Sequence, residues 1–151
     1  MAVRVVTDST SDLPPELAES LGITVVPLNI HFGSEVYKDG VDLSADAFYK
    51  RLVDGPVLPK TSQPSVGDFA EVYRSLGQEA DAIVSVHISS RLSGTFNSAV
   101  QATQEASVSC PVEVVDTRRA SMSVGIAAMI AARAASDGAS ADEVASIARE
   151  V

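Results

Sequence analysis

Cysteine, aromatic residues and positive charge are all scarce in this sequence. Cys110 is its single cysteine, so no disulfide forms within the chain, and tryptophan is absent. Only 11 lysines and arginines stand against 20 aspartates and glutamates, which gives a formal net charge of −9. This balance argues against a surface that binds nucleic acid or an anionic membrane. The 151 residues are nevertheless enough for one domain that buries a core without disulfides or metal.

Long apolar runs are missing as well. The longest covers residues 124–132, far short of the roughly 20 residues that a membrane-spanning helix needs. Arg4 and Asp8 interrupt the N-terminal apolar stretch, which is therefore not typical of a signal peptide. The single cysteine fits a reducing compartment. Together these features predict a cytoplasmic protein with no stable membrane insertion.

Short apolar runs rich in β-branched residues alternate with helical patterns along the chain. Strands are predicted at 3–6, 23–32, 82–88 and 112–115. The second run contains Pro27, which predicts an edge strand or a broken one. Helix signals separate the runs, among them Ser65 before an amphipathic stretch and a capping box from Ser140 to Glu143. This order predicts an α/β fold, with a layered, largely parallel sheet flanked by helices.

Three further segments bear on the organisation of the chain. Residues 33–40 predict a hairpin. Residues 57–64 are predicted to form a loop, in which Pro59 and Pro64 bracket residues 60–63. The last predicted helix runs to Val151 without a stop signal, which favours a fragment of a longer chain.

Hydroxyl and carboxylate side chains crowd the predicted loops after three strands. They are Asp8, Ser9, Thr10 and Ser11, then Ser89, Ser90, Ser93 and Thr95, then Asp116, Thr117 and Ser121. Ligands of parallel sheets bind beyond the carboxyl ends of the strands, and hydroxyls at helix N-termini bind anions. Ser93 and Gly94 are the strongest candidates, since Gly94 lets the backbone approach a ligand closely. Helix capping and turn formation explain the same residues one loop at a time.

Nucleotide-binding and hydrolase motifs are absent. The sequence contains no Gly-x-x-x-x-Gly-Lys-Ser/Thr, no Gly-x-Gly-x-x-Gly and no Gly-x-Ser-x-Gly pattern. The residues available for a hydrolytic triad are Ser93, His87, Asp8 and Asp116. However, His87 lies in an apolar strand, which favours a packed, hydrogen-bonded histidine, and the histidines and cysteine give no zinc pattern. The residues alone therefore indicate a site for a small anion and name no ligand.

Two segments resemble motifs of the DegV family of bacterial fatty-acid-binding proteins. They are residues 61–64 (Thr-Ser-Gln-Pro) and 91–96 (Arg-Leu-Ser-Gly-Thr-Phe). The opening Val-Val-Thr-Asp-Ser-Thr at 5–10 is similar to the first strand and loop of the family. Further similar segments follow in order at 26–29, 37–42, 115–117 and 120–122. The resemblance thus spans nearly the whole chain.

The resemblance implies a fold and a ligand. Family members are two-domain proteins nearly twice this length, so residues 1–151 are expected to be the N-terminal α/β domain, with the C-terminal domain missing. They bind one long-chain fatty acid, such as palmitate, whose acyl chain is buried between the domains. Neither a further cofactor nor a metal is implied.

The resemblance also implies which residues hold the ligand. Carried over position by position, Thr61 and Ser93 would hold the fatty-acid carboxylate. The residues expected to support them or to shape the neighbouring loops are Ser62, Gly94, Asp8, Ser9 and Asp116. Two hydroxyls beside backbone N–H groups are sufficient donors for a carboxylate.

The implied activity is carriage rather than catalysis. In the family a fatty acid kinase phosphorylates the bound acid, and the acyl phosphate feeds phospholipid synthesis, so the expected partners are a fatty acid and a fatty acid kinase. Two alternatives stay open. One is a phosphotransfer or hydrolytic enzyme with Ser93 as nucleophile, and the other is a sensor of a small anion such as a sugar phosphate.

Overall fold

A computed structural model describes residues 2–151, which form two sheets and six α-helices. The strands are β1 (Val3–Asp8), β2 (Ile23–Val26), β3 (Asn29–Phe32), β4 (Glu35–Lys38), β5 (Lys60–Ser62), β6 (Ala82–His87) and β7 (Val112–Asp116). The helices are α1 (Pro15–Ser20), α2 (Ala45–Asp54), α3 (Val66–Leu76), α4 (Thr95–Ala106), α5 (Met122–Ser136) and α6 (Ala141–Glu150). A short 3-10 turn, Ser9–Ser11, follows β1.

The main sheet has four parallel strands in the order β2-β1-β6-β7. Helices cover both of its faces, which is why every residue of β6 is buried. On one face Val84 and Val86 pack against α5 and α6, and on the other Ile83 packs against α3 and α4. The parallel sheet flanked by helices confirms the α/β prediction.

Helix α5 lies unusually close to the turn after β1. A Cβ atom added at Gly125 would lie 2.5 Å from the carbonyl oxygen of Ser11, a contact that real side chains do not make. The buried positions of α5 are otherwise occupied mainly by alanine, among them Ala127, Ala128 and Ala131. Small residues therefore bring this helix close to the carboxyl end of β1.

The apolar run at 23–32 is broken at its proline, as predicted. Residues on its two sides belong to different sheets, because β2 pairs with β1 whereas β3 pairs with β4 and β5. The chain turns at Pro27 and Leu28, between the two strands. The hairpin predicted at 33–40 is confirmed by the antiparallel pairing of β3 with β4.

The prediction of a loop over residues 57–64 is wrong for residues 60–62. Residues 60–62 form β5, which pairs antiparallel with β3 so that Ile30 lies opposite Thr61. This strand is only three residues long and consists of Lys, Thr and Ser, so it carries no apolar alternation that a sequence pattern could detect. The pairing with β3, thirty residues earlier in the chain, is what makes it a strand.

Residues 29–62 form a small lobe of β3, β4, β5 and α2. Helix α2 begins after Ser44, whose hydroxyl accepts a hydrogen bond from the Ala47 amide, but none of the residues of α2 is buried. Phe48 meets Phe32 with ring centroids 6.0 Å apart, and the Arg51 guanidinium lies 4.3 Å from the centre of the Phe32 ring. The lobe therefore has only a small core of its own.

The capping box predicted at Ser140 is present at the start of α6, and Ser65, predicted as a helix cap, also forms a capping box at the start of α3. The Ser65 hydroxyl accepts from the Asp68 amide, and the Ser140 hydroxyl accepts from the Glu143 amide. In both cases the acidic side chain in turn accepts a hydrogen bond from the backbone amide of the capping serine. Across residues 2–151, none of the helices combines the length and apolar character that crossing a bilayer requires.

Candidate anion-binding site

Three loops with polar side chains meet beyond the carboxyl ends of β1, β6 and β7. The amide and hydroxyl of Ser90 both donate to Asp116, with distances of 3.2 Å and 2.6 Å. The Ser9 hydroxyl accepts from the Leu28 amide at 3.0 Å, which fastens the β1 loop to the start of the small lobe. Asp116, predicted to shape its loop, thus connects the β7 loop to the β6 loop. Ser9, also predicted to shape its loop, connects the β1 loop to the start of the small lobe.

Ser93 stands immediately before helix α4. Its hydroxyl accepts from the Thr95 amide at 3.2 Å and lies 2.9 Å from the Thr95 hydroxyl. The N-cap residue is Gly94, which has no side chain to cap the first turn. The first turn of α4 therefore keeps backbone N–H groups and the positive end of the helix dipole available to an anion.

Thr61 and Ser62 leave β5 on opposite faces, because successive side chains alternate along a strand. Thr61 is exposed, and within residues 2–151 no group hydrogen-bonds its hydroxyl. The Ser62 hydroxyl instead lies 2.9 Å from His31 Nε2 and 3.4 Å from Asn29 Nδ2. Thus Thr61 keeps a free hydroxyl, whereas Ser62 joins β5 to β3.

Gln63, which follows β5, brings the segment that contains Thr61 against the loop that contains Ser93. A Cβ atom added at Gly94 would lie only 2.8 Å from Gln63 Nε2, so the amide of Gln63 covers the α-carbon of Gly94. Glycine is needed at position 94 for this contact. The sequence reasoning did not single out Gln63, although it lies inside the Thr-Ser-Gln-Pro segment.

Asp8 is fully buried at the end of β1 and is held by four donors. One carboxylate oxygen accepts from the amide and the hydroxyl of Thr10. The other lies 2.8 Å from His87 Nδ1 and accepts from the Ile88 amide at 3.2 Å. Burial by itself raises the pKa of Asp8. The hydrogen bond and charge interaction with His87, together with the hydrogen bonds from Thr10 and Ile88, outweigh burial, so the pKa lies below its usual value.

His87 is a packed, hydrogen-bonded histidine, as predicted. It is fully buried, its ring meets Phe69 edge-on with centroids 5.0 Å apart, and its Nε2 lies 2.6 Å from the Ser85 hydroxyl. The serine, histidine and aspartate that are hydrogen-bonded in series are therefore Ser85, His87 and Asp8. Ser85 is also fully buried, and in residues 2–151 no imidazole hydrogen-bonds Ser93. The His87 imidazole is thus bonded to Ser85 and Asp8 rather than to Ser93.

Asp116 ends β7 and accepts from three groups, namely the amide and hydroxyl of Ser90 and the amide of Arg118. Partial burial raises the pKa of Asp116, but these hydrogen bonds outweigh it and the pKa lies below its usual value. A cavity of about 740 Å³ opens beside this strand end, and Arg118, Arg119 and Arg149 line part of it. Asp116 also lines this cavity, and Arg149 forms an ion pair with Glu113, so part of the positive charge of the arginines is balanced. In the part of the chain that the structure describes, no three acidic, histidine or cysteine side chains group to hold a metal.

The chain is an α/β domain with a parallel sheet, and hydroxyl-rich loops lie at the carboxyl edge of that sheet, where open α/β sheets bind their ligands. Residues 2–151 match a family model described as "Uncharacterised protein, DegV family". The chain belongs to the DegV family, which confirms the resemblance.

Similar proteins are found among curated sequences and solved structures. The chain is 42% identical over 144 residues to a DegV domain-containing protein of Deinococcus radiodurans, covering 95% of this chain and 50% of that protein. A structure described as fatty acid binding of a DegV family protein from Thermus thermophilus aligns with a TM-score of 0.88 at 41% identity, over 99% of this chain and 53% of that one.

Bacillus subtilis DegV, described as a fatty acid binding protein, aligns with a TM-score of 0.92 at 33% identity, over 99% of this chain and 53% of that one. This chain therefore spans about half the length of the relatives that it matches. The fold of that half is the fold of the family.

Proposed function

We propose that this chain binds a long-chain fatty acid by its carboxylate, with Thr61 and Ser93 as the two hydroxyl donors. The contact of Gln63 with Gly94 carries this proposal, because it brings the Thr61 segment against the Ser93 loop. The fatty acids bound by structural neighbours support the ligand class.

The chemistry of the proposed site suits a carboxylate that is later to be phosphorylated. Thr61 and Ser93 are neutral donors, and the uncapped start of α4 adds backbone N–H groups. A site of this kind holds the anion by dipoles and leaves its charge less neutralised than a lysine or arginine would. The carboxylate oxygen then remains available to attack a phosphate.

The remaining predicted residues have supporting roles in this proposal. Gly94 admits Gln63, and Ser62 holds β5 on β3 through His31. Asp8, Ser9 and Asp116 connect the loops around the proposed site.

Apolar surface on α5 fits the proposed acyl chain. Met122, Ile126 and Ile130 are spaced by four residues, so they share one helix face, and their exposed fractions are 38%, 44% and 38%. Burial of each methylene of the ligand contributes about 0.8 kcal/mol to binding. We propose that this face forms part of the acyl wall.

The proposed role in the cell is that of a carrier. The fatty acid would be presented to a fatty acid kinase for phospholipid synthesis, in the cytoplasm, and this chain would supply binding rather than catalysis. The arginine-lined cavity beside β7 favours one second candidate, a sensor of a small phosphate-bearing anion.

Mass spectrometry of an organic extract of the purified chain separates the two functions. The carrier proposal expects a near-stoichiometric fatty acid that is lost in the Thr61→Ala/Ser93→Ala double variant. The matched control is Ser75→Ala/Thr103→Ala, which also removes one serine and one threonine hydroxyl, but from α3 and α4. This control should retain the lipid. Absence of lipid from the wild-type chain, together with binding of a sugar phosphate that Arg118→Gln weakens, would contradict the carrier proposal.

A further inference from the structure

A buried chain of side-chain hydrogen bonds runs through the domain without touching the proposed ligand site. The Tyr73 hydroxyl donates to Ser85 Oγ at 2.8 Å, Ser85 Oγ lies 2.6 Å from His87 Nε2, and His87 Nδ1 lies 2.8 Å from Asp8. All four side chains are fully buried. We call Tyr73, Ser85, His87 and Asp8 the buried relay.

The donors and acceptors of the buried relay fit in one direction. The Tyr73 hydroxyl donates a hydrogen bond to Ser85 Oγ, which leaves the Ser85 hydroxyl to donate to His87 Nε2. His87 Nδ1–H then donates to the Asp8 carboxylate. Each buried polar atom is then satisfied by its neighbour. Removal of one member leaves a buried partner without its hydrogen bond, which costs more than an ordinary surface hydrogen bond.

The buried relay joins helix α3 to strand β6, and these two elements adjoin the segments that contain Thr61 and Ser93. Tyr73 lies on α3, which follows directly after the segment that contains Thr61. His87 ends β6, and the chain continues through Ile88 to Ser93. Asp8 also accepts from the Ile88 amide, so the relay is fastened to the backbone at the start of that loop.

We infer that the buried relay is a positioning device that fixes the Thr61 segment relative to the Ser93 loop and thereby sets the fatty-acid affinity. It rests on the proposed function. Its members contact neither donor directly, and they act through α3 and through the Ile88 amide. Packing of the Phe69 ring on His87 keeps the imidazole in the plane that the relay needs.

Residue-resolved amide exchange by NMR tests the positioning without any lipid. Tyr73→Phe removes one hydroxyl and keeps the ring, and Tyr49→Phe makes the same change at an exposed tyrosine of the small lobe. We expect Tyr73→Phe to speed exchange selectively in residues 61–63 and 88–95, with Tyr49→Phe unchanged. Ser85→Ala breaks the relay at its middle and should give the same pattern. Uniform acceleration that extends to α6, or no change in either loop, would overturn the inference.

Palmitate affinity gives the second readout. Tyr73→Phe should weaken palmitate binding about 3- to 10-fold, the effect of one lost hydrogen bond. In the Thr61→Ala/Ser93→Ala background the same change should have no effect, because the donors that it positions are gone. An equal loss in both backgrounds would contradict positioning. If the wild-type chain binds no palmitate, the proposed function fails, and the exchange experiment still decides whether the relay holds the loops.

Discussion

The main sheet and the small lobe each supply one proposed donor, but they are held together in different ways. Ser93 follows β6, whose residues are all buried between two helical layers. Thr61 lies on β5 of the small lobe, whose helix α2 has no buried residue and whose Val53 is 80% exposed. One donor is fixed by the core, whereas the other depends on a few contacts between the lobe and the rest of the domain.

Local unfolding free energy follows buried apolar contact, so the small lobe should open more readily than the main sheet. The contacts that hold it in place include Gln63 on Gly94, Ser9 on Leu28 and the ion pair of Lys38 with Asp68. A ligand site that spans a rigid region and a more mobile one can open at the mobile side.

The largest expected effect is that of Asp8→Asn. It turns one of the two accepting carboxylate oxygens into an NH2 group, so two of the four buried donors lose their acceptor, at about 1–3 kcal/mol of unfolding free energy for each. Asp54→Asn, at an exposed ion pair on α2, should change the unfolding free energy by less than about 0.5 kcal/mol. Urea denaturation at neutral pH measures both. Similar values for the two variants would remove the distinction between the regions.

The stability that the Asp8 carboxylate contributes should be lost when acid protonates it. The pKa of Asp8 is lowered on folding, so its contribution to stability is fully present above its ordinary pKa and is lost as pH falls through the folded value. The wild-type chain should therefore lose stability below a pH of about 4, and Asp8→Asn should lose less over the same interval. Urea midpoints across this range test the prediction, and identical pH slopes would contradict it.

A cavity in the main sheet should cost more than one in the small lobe. Ile83→Ala removes a fully buried side chain of β6 and should cost about 2–5 kcal/mol. Val53→Ala removes an exposed side chain and should stay within about 0.5 kcal/mol. Thermal unfolding checks the pair, and a large loss at Val53 would mean that α2 packs more tightly than its exposure indicates.

Two glycines test the close approaches that position the loops. Gly125→Ala would press on the backbone oxygen of Ser11 and should cost about 1–3 kcal/mol. Gly94→Ala meets only the mobile end of Gln63, so it should change stability little while displacing that amide. We expect weakened palmitate binding for Gly94→Ala at nearly wild-type stability. Unchanged binding would show that Gln63 does not connect the two donor loops.

The smallest effect concerns the ion pair between the small lobe and α3. Lys38 Nζ lies 3.2 Å from Asp68, and both side chains are about one-third exposed. Lys38→Met should lower global stability by less than about 1 kcal/mol and should speed amide exchange in β4 more than in β6. Equal acceleration in both strands would contradict a role confined to the lobe.

Regular elements of this domain could be predicted from the sequence, whereas contacts between distant loops could not. The strand at 82–88 and the capping box at Ser140 carry local patterns, namely an apolar run and a paired serine and glutamate. Strand β5 has no such pattern, because its pairing with β3 depends on a segment thirty residues away. The buried relay joins residues 79 positions apart; the sequence offered both Asp8 and Asp116 as partners of His87, and in the structure His87, on β6 beside β1, bonds Asp8.

The proposed function requires that Thr61 and Ser93 hold one carboxylate together. A double-mutant cycle on palmitate affinity, with Thr61→Ala, Ser93→Ala and the double variant, tests it most directly. Shared binding of one carboxylate predicts non-additive losses, with an interaction energy of at least about 0.5 kcal/mol. Strictly additive losses, or a loss from only one of the two substitutions, would contradict a joint site.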